Sequence, residues 1–332
     1  MHLPRMPSNA FSALFAAQPV MLAPMEDVSD AIFRRICRKL GADVCFTEFV
    51  NVDSLLLGCQ RNKRKLVLAE DDRPTAIQIY GADPARLVEA ARIAEEAGPA
   101  FIDINCGCWV PRIARRGAGS GWLRDPEAMV AMAAQVVRAV SLPVTVKTRI
   151  GLGPEDQMPI VELAPRLEDV GVRALTVHCR TAKMGYTGTA DWRWAALAQA
   201  QVRMPVVVNG DIRTAADVQR ALAETGCAGT MLGRGAIDHP WVFREVRELR
   251  AGRTPVPPTP AERLGLLREH LLANVASRSP GWGVPYTRRY LAGYLREVEG
   301  GPELRMYLNT SGQLDDWLER ISALEARVAA WR

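Results

Sequence analysis

No stretch of this 332-residue chain approaches 20 consecutive apolar residues, which excludes a helical membrane span. The apolar run Phe11 to Ala17 is short, has only Arg5 ahead of it and lacks a sustained hydrophobic core, which argues against a secretory signal. Residues 1–18 are therefore read as a loose leader to a cytoplasmic protein. Cysteine is sparse and odd in number, seven residues without regular spacing, which argues against a disulfide scaffold and fits a reducing compartment. Cys106 and Cys108 form a C-x-C pair, but no second pair stands at zinc spacing, so no metal is expected. Neither sign of charge dominates: a net charge of +5 permits a polyanionic partner without requiring one. An apolar fraction of 48% with 24% charged residues argues against disorder and against a fibrous chain.

What is present is a repeated unit. Eight strand-like runs alternate with helical stretches: Val20 to Met25, Val44 to Thr47, Thr75 to Tyr80, Phe101 to Asn105, Val144 to Ile150, Ala174 to His178, Val206 to Gly210 and Thr230 to Gly233. Asp83-Pro84 and Asp125-Pro126 supply a cap and a first-turn proline for two of the helices. Eight strand-then-helix units close most simply into a parallel TIM (β/α)8 barrel, whose strands are apolar throughout because both faces are buried. A doubly wound sheet is disfavoured, since no G-x-G-x-x-G turn follows the first run. Gly117 to Gly121 is read as a flexible loop. The barrel is assigned to residues 19–250, a proline-rich linker to 251–260 and a small all-α domain to 261–332, with helices at Ala261 to Ala276, Pro285 to Val298, Pro302 to Leu308 and Leu314 to Trp331.

Chemistry in such a barrel sits at the carboxyl ends of the strands. The tip Asn105-Cys106-Gly107-Cys108 presents thiols there. Asn209-Gly210-Asp211 and Gly233-Arg234-Gly235 occupy the tips of strands seven and eight, where glycine lets backbone N–H groups approach a phosphate and Arg234 can pair with it. Lys147 at a strand end is costly to bury without an anionic partner. Lys147 and Arg149 are read as facing opposite sides of their strand. His178 ends the sixth run, and Gln78 is a polar group within a core strand that needs partners. Arg61 to Lys65, Arg112, Arg115, Arg116 and Arg288-Arg289 concentrate positive charge, commonly no more than a solvated face.

Together Ala23-Pro24-Met25, Gln78, Asn105-x-Gly107-Cys108, Lys147-x-Arg149-x-Gly151, His178-x-Arg180, Tyr186-x-Gly188-x-Ala190-Asp191-Trp192, Asn209-Gly210-Asp211-Ile212 and Gly233-Arg234-Gly235-Ala236 resemble the tRNA-dihydrouridine synthase family, in order from about Val20 to Phe243. The tail carries Arg288-Arg289-Tyr290 and Tyr294, which resemble a basic-aromatic element of that family's helical domain. The resemblance implies an FMN-bound barrel that reduces the C5–C6 double bond of selected tRNA uridines with NADPH, or NADH, as donor. Pro24, Met25, Gln78, Lys147, Asn209, Gly210, Asp211, Gly233 and Arg234 would hold FMN, with His178 beside it. Cys108 would be the proton donor to C5, Cys106 standing at a variable position. Asn105, Trp109, Arg149, Arg180, Arg288 and Arg289 would face tRNA, and a monomer would leave the mouth open to it.

One departure stands out: the family usually has proline after the catalytic cysteine, whereas this chain reads Cys108-Trp109-Val110-Pro111. The change either re-aims the loop or lets Trp109 stack on a base, a contact of about 1 to 3 kcal/mol. Two alternatives stay open, a flavin-dependent dehydrogenase of a free dihydropyrimidine or dihydroorotate and a tRNA-binding barrel without turnover.

Overall fold

The computed structural model describes residues 8–153 and 158–330. Among them are nine parallel strands: β1 Val20–Leu22, β2 Val44–Phe46, β3 Val50–Asn51, β4 Thr75–Tyr80, β5 Ile102–Cys106, β6 Val144–Arg149, β7 Ala174–His178, β8 Val206–Asn209 and β9 Gly229–Leu232. Neighbours pair in sequence from β4 to β9, β9 pairs with β1, β1 with β2, and β2 with β4, which closes the expected barrel. The short β3 is additional, pairing Val50 with Ile79 and Asn51 with Tyr80 on the outer run of β4. Two residues carry too little hydrophobic pattern to be read as a strand. The first strand stops at Leu22, short of the expected Met25. The Ala23 N–H still donates to the Leu232 carbonyl, but Pro24 has no N–H to continue the ladder, and the Met25 N–H turns to Ser29 Oγ.

The intervening helices follow their local signals. Asp83 accepts from the N–H groups of Ala85 and Arg86 to start Pro84–Glu96, and Asp125 caps Pro126–Ala139 in the same way. Their apolar faces, Leu87, Ala90, Ala91 and Ala94 in the first and Met129, Met132, Ala133 and Val136 in the second, are buried.

The leader is not loose where it is described. Ser8–Ala16 is a helix that packs Phe11 and Phe15 into one cluster with Met21, Phe46, Phe101, Val207 and Met231. Phe101, Ala174 and Val207 stand at strand starts, so this helix covers the barrel end opposite the strand tips. The pair Phe11 and Phe15, four apart, is a helix face, but a seven-residue stretch interrupted by Ser12 carries too little length to be separated from a disordered one. Phe11, 2% exposed, meets Phe101 edge-on at 5.5 Å. Phe11→Ala is therefore expected to cost about 3 to 5 kcal/mol, read as a lower denaturation midpoint in urea.

The chain divides into two compact units, one running up to Arg38 and over Ala42–Gly233, the other comprising Lys39–Gly41 and the chain from Arg234 on. In the second, helices run over Arg234–Asp238, Val242–Arg250, Pro260–Arg278, Pro280–Thr287, Leu291–Tyr294, Gly301–Thr310 and Leu314–Ala330. Thr259 and Glu262 form a capping box at the proline-rich stretch. The single helix expected from Pro285 to Val298 is replaced by two short helices with a tight turn at Arg288–Tyr290. Trp331, the expected end of the last helix, lies outside the described residues. No helix among the described residues is long and apolar enough to cross a membrane.

Candidate active site

Cys108 lies two residues beyond β5, and its loop is built from the backbone outward. Asn105, 7% exposed, turns its Oδ1 to accept from the N–H groups of Gly107 and Cys108, both at 3.0 Å. Glycine suits position 107: a Cβ there would sit 3.1 Å from the Thr148 carbonyl carbon, a tight contact with backbone. On the other side the Ser120 N–H donates to the Cys108 carbonyl, and a Cβ at Gly119 would come within 2.9 Å of Cys108 Cβ. The glycine stretch after β5 is thus no flexible loop. Gly119–Arg124 is a tight helix buried from Gly119 to Leu123, where Gly119 backs onto Cys108 and a Cβ at Gly121 would lie 2.6 Å from the Ala114 carbonyl oxygen.

Burial pushes the Cys108 thiol up, against lowering by the Val110 N–H and the Arg149 charge, so it is protonated at neutral pH. Cys106 is fully buried, its thiol raised further by that burial, and has no exposed surface from which to reach a substrate.

Below the loop a polar chain runs through the barrel. Asn105 Nδ2 donates to Gln78 Oε1 at 2.8 Å, Gln78 Nε2 to Asp103 Oδ2 at 2.6 Å, and Thr145 Oγ1 to Asp103 Oδ1 at 2.5 Å. Gln78 therefore meets its need for partners largely within the protein. Asp103 escaped sequence reading, although a carboxylate between Ile102 and Ile104 is a signal, since a buried acid demands donors.

Lys147 and Arg149 share one face, contrary to expectation, because two residues is a full period of a strand. Lys147 Nζ donates to Asn209 Oδ1 at 3.1 Å, and Asn209 Nδ2 donates to the Met231 carbonyl at 2.7 Å. Burial first, then the Arg149 charge, pulls Lys147 down to about 8. Arg149, 2% exposed, donates to the carbonyls of Gly107, Thr181 and Gly185. It staples the cysteine loop to the loop after β7. Trp109 crosses the same seam, lying against Gly185 and edge-on to Tyr186 at 5.8 Å. The His178 ring stands 6.5 Å from that of Tyr186.

Arg180 is likewise committed inward, to the carbonyls of Thr187 and Gly188 and to Asp211 Oδ2 at 2.5 Å. Asp211 also accepts from the Ala190 N–H, and the Gly210 carbonyl from Trp192 Nε1. Gly210 has φ +121° and leaves no room for a Cβ, which would lie 2.8 Å from that of Ala190. Pro24, Met25 and Gly233 are half-buried at the tips of β1 and β9. Arg234 opens the helix that follows Gly233 in the chain.

The basic clusters divide. Arg61 pairs with Glu26 and Asp27, and Lys65 with Glu26 at 2.6 Å, whereas Lys63, Arg64, Arg112, Arg115 and Arg116 are exposed. In the second unit Arg288 donates to the carbonyls of Leu308 and Ser311, closing a helix end. Arg289 is exposed and stacks on Tyr286 at 3.8 Å.

The sequence model of the family described as dihydrouridine synthase (Dus) matches residues 21–329. This chain belongs to the dihydrouridine synthase family. Over 292 residues it is 37% identical to tRNA-dihydrouridine synthase B of Pseudomonas aeruginosa, covering 87% of each chain. A probable tRNA-dihydrouridine synthase of Aquifex aeolicus is 32% identical, with 94% of this chain and 98% of the relative covered. The Escherichia coli K12 tRNA-dihydrouridine synthase B is also 32% identical, over 92% and 95%. Among solved structures, TcOYE with pHBA shares the fold at a TM-score of 0.54 and 10% identity, covering 74% of this chain and 91% of that one. Family membership thus spans both units.

Proposed function

We propose that this protein is a tRNA-dihydrouridine synthase that reduces the C5–C6 double bond of specific uridines in tRNA, with FMN as bound cofactor and NADPH or NADH as electron donor. The observation that carries the reading is Cys108: a thiol at a barrel mouth, held on both sides by backbone contacts and kept protonated by burial. A nucleophilic cysteine needs a depressed pKa, whereas a proton donor needs the state found here.

The surrounding donors suit a flavin. Lys147 is a half-buried ammonium whose one hydrogen-bond acceptor among the described residues is a neutral amide oxygen, so it has N–H groups to offer an anionic ring. With Lys147, Pro24, Met25, Gln78, Asn209, Gly210, Asp211, Gly233 and Arg234 would hold FMN and its phosphate, and His178 would lie beside it. Asp211 and Gln78 contribute chiefly by shaping the site, since their side chains are engaged by Arg180 and by Asp103 and Asn105. FMN, when bound, supplies the hydride that reduces C6. Cys108 holds the proton that C5 then requires, and its thiolate regains a proton from solvent.

To enter this mouth a uridine must leave its stack, at a cost of a few kcal/mol that contacts elsewhere offset. Trp109 and Tyr186, the latter 55% exposed, offer aromatic surface beside Cys108. Exposed Arg112, Arg115 and Arg116 follow on the same loop, and the second unit adds Arg289, Tyr286 and Trp282, which is 75% exposed. Arg149, Arg180 and Arg288 act instead through the loops and helix end they hold. The protein is proposed to work in the cytoplasm as a monomer.

Anaerobic reoxidation tests the reading. Protein purified with flavin and reduced by NADPH is expected to reoxidise on unmodified tRNA and not on free uracil, uridine or orotate. Reoxidation by a free pyrimidine alone would point to a small-molecule dehydrogenase, and the absence of any reducible flavin to a binding protein.

A further inference from the structure

The polar chain beneath Cys108 has a direction, and one residue sets it. We propose that Asp103 is a positioning residue for Cys108: it orients the amides of Gln78 and Asn105 so that Asn105 Oδ1 holds the cysteine loop. An ionised carboxylate only accepts hydrogen bonds. Gln78 must therefore give Asp103 its Nε2, at 2.6 Å, and turn Oε1 the other way. Oε1 also only accepts, so Asn105 must give it Nδ2, at 2.8 Å, which leaves Oδ1 for the N–H groups of Gly107 and Cys108. Thr145 Oγ1 closes the far end on Asp103 Oδ1. Reversing either amide would bring Asn105 Nδ2 against two backbone donors and release the loop. Every member from Thr145 to Asn105 is at most 7% exposed, so water is poorly placed to substitute. Burial pushes the Asp103 carboxyl up to about 6, against its donors and Lys147, so at pH 8 it is the acceptor this arrangement needs.

The inference rests on the proposed function only for its catalytic readout. The other readout is alkylation of Cys108 by iodoacetamide at pH 8, mapped by peptide mass and run on purified flavin-loaded protein. Asp103→Leu is expected to bind flavin and take electrons from NADPH within about twofold of the parent, yet to show Cys108 alkylation raised about tenfold and kcat on tRNA lowered about tenfold or more, with KM within about threefold, because a small displacement of a reacting group is costly. Asp103→Asn is expected to restore both readouts to within about threefold, its oxygen facing Gln78 and its amide facing Thr145 Oγ1. A merely structural Asp103 would not yield this rescue with intact flavin reduction. If Asp103→Leu does not accumulate, the nearly isosteric pair Asp103→Asn with Thr145→Val removes the group that steers the new amide, and is expected to raise alkylation where each single change does not. The proposal is overturned if Asp103→Leu, or that double variant, matches the parent in both readouts, or if Asp103→Asn is as impaired as Asp103→Leu. Altered alkylation in the expected pattern, with no variant and not even the parent converting tRNA, would uphold the positioning role and remove the functional reading instead.

Discussion

Cys108→Ala is expected to retain its flavin and its reduction by NADPH while losing turnover on tRNA by about 100-fold to 10,000-fold, the usual worth of a positioned acid. The expectation follows from the separation of roles in the site. The groups proposed to hold the cofactor lie on β4, β6, β8 and the tips of β1 and β9, and none of their hydrogen bonds passes through the Cys108 side chain. The loop itself is held by backbone atoms of Gly107 and Cys108, which alanine keeps. Cys106→Ala is the internal control, since that thiol is fully buried and should leave turnover near the parent value. Stopped-flow measurement of the two half-reactions separates the outcomes. Slow reoxidation by tRNA with normal reduction by NADPH supports the acid, and normal reoxidation in Cys108→Ala refutes it.

Arg149→Met should have the second largest effect, and of a different kind. The guanidinium is buried and spans three carbonyls on two loops, those of Gly107, Thr181 and Gly185. Methionine preserves much of the volume but strands those acceptors, for a cost of about 2 to 4 kcal/mol. Because Gly107 precedes Cys108 and Gly185 supports the Trp109 ring, the loss is also expected to lower kcat on tRNA by at least tenfold, within the range a 1 Å misplacement can produce. Lysine is not a conservative replacement, since one ammonium on a flexible stem cannot reproduce the planar fork. Urea denaturation and steady-state kinetics on the same preparations check both parts. An Arg149→Met protein of parental stability and kcat would show that the staple is dispensable.

The barrel was legible because parallel strands buried on both faces leave continuous apolar runs, and these were read from Val44, Thr75 and Ala174 onward with little ambiguity. Strand tips were legible for the same reason: Asn105, Lys147, His178 and Asn209 break those runs with polar groups at corresponding heights, and the register pairs Asn105 with Lys147 and His178 with Asn209. What the polar groups bind was less legible. Gln78, Asn105, Arg149 and Arg180 look from sequence like ligands for cofactor or RNA, yet they spend most of their donors and acceptors on one another and on loop carbonyls. A one-dimensional pattern marks a residue that needs partners without saying whether the protein supplies them. Asp103 and Gly119 show the complement. The acid was hidden within a strand, and the glycine in a stretch resembling a linker, because their reasons for being there are contacts across the barrel mouth. Arg288 likewise stands out in the sequence by its charge, whereas its partners are the carbonyls that end another helix.

The central claim is most directly tested by mapping dihydrouridine, position by position, in tRNA from cells lacking this protein, before and after treatment with the purified protein and NADPH. The account predicts that dihydrouridine appears at a defined position, and that Cys108→Ala leaves the same tRNA unmodified. A flavin-loaded, NADPH-reducible protein that leaves every uridine intact would contradict it.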